Sequence, residues 1–122
     1  MTLQELYQEI GGDYNQAQRV LRVDKLIDKH IRKFVQNGVV DELIEASKNM
    51  DPVRLFESAH AVKGVCANLG LNRLSDAAAE ITEEFRPGKG RSLSDGEIAE
   101  KIKNIEELYR LTIDGIHHYQ EA

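Results

Sequence analysis

Asp51-Pro52-Val53-Arg54-Leu55-Phe56-Glu57-Ser58-Ala59-His60-Ala61-Val62-Lys63-Gly64-Val65-Cys66-Ala67-Asn68-Leu69-Gly70 holds a start signal, a periodic apolar seam and a stop signal in one run. Asp51 is a capping side chain, Pro52 has the fixed φ that suits the first helical position, and Gly70 is a natural end, so the run predicts one helix. Leu55, Ala59, Val62, Cys66 and Leu69 recur at three- and four-residue steps and make a seam of the kind that packs into a helical bundle. At about 100° per residue, His60 falls roughly 140° from the centre of that seam and faces outward. Lys63 and Gly64 lie one turn on, on the same side, with Ala67 beyond. The imidazole therefore stands over a bare strip with a cation beside it, open to something bulky and negative.

Upstream, Leu3, Leu6, Tyr7 and Ile10 have helical spacing and Gly11-Gly12 ends the segment, predicting a short amphipathic lid helix. Asp13 caps a stretch in which Val20, Leu21, Val23, Ile27, Ile31, Phe34 and Val35 keep a stripe as far as Asn37-Gly38. Helix is expected throughout, bent near Asp24, which can act as a second cap. Val39, Val40, Leu43, Ile44 and Ala46 predict another short helix before the turn at Asn49-Met50-Asp51-Pro52.

Downstream, Asn72 is the expected cap of a helix whose Leu74, Ala77, Ala78, Ile81 and Phe85 face the core, ending at Pro87-Gly88. The link after Gly70 is so short that this helix must run antiparallel beside the one that carries His60. Arg86-Pro87-Gly88-Lys89-Gly90-Arg91-Ser92 holds three cations and no acid, a local reversal of the overall charge. Ser94 and Glu97 form a capping-box pattern, and Ile98, Ile102, Ile105, Tyr109, Ile113 and Ile116 trace a long final helix. No strand alternation or repeat competes. The expected fold is all-α, an antiparallel four-helix bundle with short additional N-terminal helices.

The chain has 122 residues, 41% of them hydrophobic, which suits a single domain over 1–122. No apolar run approaches the roughly 20 residues that span a bilayer, and Met1-Thr2-Leu3-Gln4-Glu5 does not read as a secretory signal. A cytoplasmic protein is expected. Its net charge of −5, from 16 Lys and Arg against 21 Asp and Glu, disfavours a nucleic-acid binder. The single Cys66 lies on the buried seam and reads as an inert core thiol.

His30, His60, His117 and His118 include no pair at the i, i+4 spacing that puts two imidazoles on one helical face, so no metal site is expected. Nucleophile signatures, Gly-rich phosphate loops and nucleotide fingerprints are absent from the sequence, which leaves no ATP-using machinery visible. For His60, spacing alone favours a solvated surface histidine. Its neighbourhood adds chemistry: a neutral imidazole is nucleophilic near neutral pH, and a nearby cation offsets the charge of an added phosphate. Lys63 supplies that cation, and Gly64 leaves room.

The run Ala59-His60-Ala61-Val62-Lys63-Gly64, with Asn68-Leu69-Gly70 and Leu74, resembles the H-x-x-K-G-x-x-x-x-x-G signature of histidine-containing phosphotransfer domains. The resemblance extends over most of the chain, from the opening helix ending in Gly-Gly-Asp to the long closing helix. It implies a phosphorelay carrier in which His60 accepts a phosphoryl group, through its outward Nε2, from a phosphoaspartate on a receiver domain or from a kinase. Another receiver then takes the group. By position, Lys63 balances charge and Gly64 permits close approach. Thr82 stands where many members carry a glutamine or glutamate that orients the imidazole, so its hydroxyl and the neighbouring Glu83 are the alternatives for that role. Arg86 falls where some members place a second basic residue.

Phosphoryl transfer needs positioning and charge neutralisation more than covalent machinery. The partner receiver is expected to supply Mg²⁺ and the aspartate, and this chain no cofactor and no kinase activity. Phe56, one turn before His60, and Ala67 are candidates for receiver docking. Phe56 packed against the opening helix is the competing reading. A monomer is expected. Two alternatives stay open: a module of this fold that binds receivers without transfer, and a small helical hydrolase using His60 as general base, for which no paired acid is apparent.

Overall fold

Helix α5, Pro52–Asn68, is the element that carries the His60 stretch in the computed structural model, which describes residues 1–121. Asp51 caps it as expected, its Oδ1 accepting the backbone N–H of Val53 at 3.1 Å. Leu55, Ala59, Val62 and Cys66 are wholly buried. Its end is a Schellman motif: the Leu71 N–H bonds the Cys66 carbonyl at 2.8 Å and the Gly70 N–H bonds that of Ala67 at 3.2 Å. Gly70 has φ +70°, and a Cβ there would sit 2.2 Å from the Asp13 carbonyl oxygen. Only glycine combines that conformation with that approach.

The other helices are α1 (Leu3–Ile10), α2 (Tyr14–Leu21), α3 (Asp24–Phe34), α4 (Val39–Asn49), α6 (Asn72–Glu84) and α7 (Asp95–Glu121), and no strand occurs among the described residues. The fold is therefore all-α. Helices α4, α5, α6 and α7 touch in a ring, α5 and α7 each lying against both α4 and α6. The closest pairing is α5 with α6, where the Ser75 hydroxyl also donates to the Lys63 carbonyl at 3.2 Å. Helix α1 closes over α7 at Gly115, where a Cβ would meet Ile10 at 2.3 Å.

Three sequence expectations are corrected. The helix expected from Asp13 to Asn37 breaks into α2 and α3, because Arg22 takes φ +72° and Val23 is extended. Val20 and Val23, read as part of one buried stripe, are 41% and 52% exposed, and the Tyr14 hydroxyl bridges the break to the Asp24 carboxylate. Asp24 is not a cap; it is the first residue of α3, where its charge suits the helix dipole. Asn72 does not cap α6 but begins it, its amide directed to Asp13 Oδ2 at 3.4 Å, and α6 stops at Glu84, before Pro87-Gly88. The Ser94–Glu97 capping box forms as expected, with both bonds at 3.1 Å.

Candidate functional site

Because α5 buries Ala59 and Val62, the residues between and beyond them are turned to solvent, and His60 is exposed. Its ring lies nearly parallel to that of Phe56 one turn earlier, with centroids 6.0 Å apart and planes at 11°. Phe56 is half-buried against the core and carries the Arg86 guanidinium 5.7 Å from its centroid. Arg86 is in turn held by Glu83, Nε to Oε2 at 3.1 Å. That bond, with the charges of Arg86, Lys63 and Lys89, holds the Glu83 carboxyl below its ordinary range.

Lys63 is half-buried and forms no ion pair among the described residues. Gly64 is exposed, and a Cβ added there would meet no atom within 4 Å. Ala67 is half-buried beyond it. His60, Lys63, Gly64 and Ala67 thus occupy one strip of α5, as their spacing predicts, and Phe56 and Arg86 join the strip at one end.

Thr82 departs from the positional expectation. It is wholly buried on the inner face of α6, and its hydroxyl donates to the Ala78 carbonyl at 2.9 Å, the usual outcome for a buried helical threonine. No hydrogen bond links Thr82 or Glu83 to His60, and neither ring nitrogen is hydrogen-bonded among the described residues. The role of imidazole support therefore cannot be read from Thr82 by position.

The cationic loop after α6 is also changed by what the sequence reading passed over. Glu84, only 4% exposed, accepts the backbone N–H groups of Ser92 and Leu93 at 2.9 and 2.7 Å, the Ser92 hydroxyl at 2.8 Å and Lys89 Nζ at 3.1 Å. The Leu93 N–H foremost, with the others, brings its carboxyl down to about 2. Arg91 pairs with Asp95 at 2.9 Å. Each loop cation is thus answered by an acid of the chain, and Lys63 is left as the unpaired cation beside His60. Glu84 lies three residues after core-facing Ile81, which is the spacing signal that could have flagged it.

Cys66 is buried, and burial pushes its thiol up to about 12, so it is unreactive at neutral pH. No group of three metal-ligating side chains comes together among the described residues. Within the same residues no helix is long and apolar enough to cross a membrane.

Comparison with curated proteins and with solved structures finds no match. A family model does match: that of the Hpt domain, over residues 2–111. The match includes the whole strip around His60 and all of α1 to α6. An exposed imidazole beside an unpaired lysine, on a helical scaffold that this model covers almost end to end, places the chain in the Hpt domain family of two-component phosphotransfer modules.

Proposed function

We propose that this chain, as a single monomeric domain in the cytoplasm, carries a phosphoryl group on His60 between receiver domains and has no kinase activity of its own. The observation that carries the reading is the free imidazole of His60 next to unpaired Lys63 and over the open face of Gly64. The Nε2 lone pair attacks phosphorus in line; the bond from phosphorus to the donor aspartate oxygen breaks, and its electron pair stays on the carboxylate. The ring keeps its Nδ1 proton as a phosphoimidazolium, and the return step reverses these movements. The receiver supplies Mg²⁺, while Lys63 offsets charge on the phosphoryl oxygens.

A docking face fits the same strip. His60, Gly64 and Asn68 lie at four-residue steps, about 12 Å from first to last. They lead to a hollow of about 320 Å³ between α2, α3 and α5. Val20, Leu21 and Val65 give it apolar walls, and His30 and Lys33 line its rim. Residues 14–37 hold six Lys and Arg against two Asp, in a chain of net charge −5. A receiver that binds Mg²⁺ through carboxylates is acidic at its active face and complements such a surface.

The test is incubation with phosphorylated receivers and Mg²⁺, reading acid-labile, base-stable label on this chain. Labelling that His60→Gln abolishes, with helical content unchanged, is the expected result; label surviving in the variant means another acceptor. The second reading, binding without transfer, is favoured by the lack of a hydrogen bond between His60 and either Thr82 or Glu83. A wild-type chain that binds receivers yet acquires no label from any of them decides for it.

A further inference from the structure

We infer that Phe56 is the positioning residue of His60, holding the imidazole by stacking where no side chain of α6 holds it by a hydrogen bond. What the ring does rests on the relay reading above; how it is held rests on geometry alone. The two rings share one face of α5, and their separation of 6.0 Å at 11° lies within the range of offset stacking, roughly 4.5–7 Å. Phe56 is itself fixed, by the core edge on which it is half-buried and by the Arg86 guanidinium at 5.7 Å, which Glu83 anchors. Support from α6 therefore reaches the imidazole through Arg86 and Phe56 and ends in a flat contact.

That contact has a chemical signature. An acceptor bonded to one ring nitrogen would fix both the ring plane and the site of its proton, since a neutral imidazole donates from one nitrogen only. A stack restrains the plane and makes no claim on either nitrogen. In the wild-type protein the proton is thus shared between Nδ1 and Nε2 by exchange with solvent, while the ring remains oriented.

The experiment is ¹⁵N NMR of the neutral His60 ring, with ¹³C relaxation of its motion, in wild type, Phe56→Leu and Phe56→Tyr. Expected are averaged nitrogen shifts showing both tautomers in wild type, a more mobile ring in Phe56→Leu, and wild-type motion in Phe56→Tyr, which keeps a flat ring. Transfer from a phosphorylated receiver should fall about tenfold in Phe56→Leu with receiver affinity unchanged, and recover in Phe56→Tyr. A single fixed tautomer in wild type, or wild-type ring motion in Phe56→Leu, overturns the inference. So does a loss of affinity with no loss of rate, which would make Phe56 a docking residue only. Ring measurements need no partner, so a ring loosened only in Phe56→Leu supports the positioning even where neither protein takes label, and the relay reading is what falls.

Discussion

Glu84 accepts the backbone N–H of Leu93 at 2.7 Å across the loop that joins α6 to α7, and the loop is folded around that carboxylate. Replacing Glu84 with glutamine removes the charge and leaves Lys89 without its partner. The carboxyl stands near 2 in the folded chain against an ordinary 4.5, so its stabilising effect is full above the ordinary value and is lost as pH falls through the folded one. Thermal midpoints of wild type and Glu84→Gln should therefore differ most at neutral pH and converge between about 4.5 and about 2. A constant gap across that window would show that the charge is not what holds the loop.

Gly64 predicts effects of opposite sign on stability and function. It sits inside α5 without a positive φ, and an added Cβ meets nothing within 4 Å. Gly64→Ala should raise stability by about 0.5–1 kcal/mol through helix propensity alone. On the proposed relay it should also slow transfer, because the added methyl would stand where a receiver approaches His60. Chemical denaturation and an initial-rate assay on one preparation check both signs together.

Lys63→Ala should reduce the rate of labelling or the lifetime of the label by up to about fivefold, the equivalent of the roughly 0.2–1 kcal/mol of an exposed charge pair. The difference from wild type should shrink as salt rises, because exposed charges are screened. Rates measured across a salt series test this, and a salt-independent deficit would assign Lys63 a packing role instead.

Gly70→Ala should cost more than about 1 kcal/mol, because the left-handed conformation is unfavourable for alanine. The methyl would also press on the Asp13 carbonyl oxygen. A lower denaturant midpoint with an unchanged slope is the expected readout.

Helix α5 was legible because cap, seam and stop agree, and His60, Lys63, Gly64 and Ala67 followed from periodicity once its limits were set. The break between α2 and α3 was not, since it depends on a left-handed Arg22, and arginine gives no local signal for that conformation. Thr82 and Glu83 stand as alternatives for holding the imidazole because position in a pattern does not say which face of α6 is buried to the last residue; in the structure the Thr82 hydroxyl donates to the Ala78 carbonyl. Glu84 escaped notice as a charged residue, which spacing arguments assign to solvent unless a partner is known. Phe56 and His60, four residues apart, were readable as neighbours on one face, but not as parallel rings.

If His60 is loaded as proposed, the internal neutralisation of Arg86, Lys89 and Arg91 bears on how readily the group leaves again. A phosphoryl group there would bring close to two negative charges to this face, and among the described residues Lys63 is the cation beside His60 without a prior partner. A site ringed by uncommitted cations would make the loaded form a thermodynamic sink. With a single modest counter-charge, a phosphohistidine here would keep a high tendency to give its group away, and a shuttle is useful only while loading and unloading stay nearly balanced.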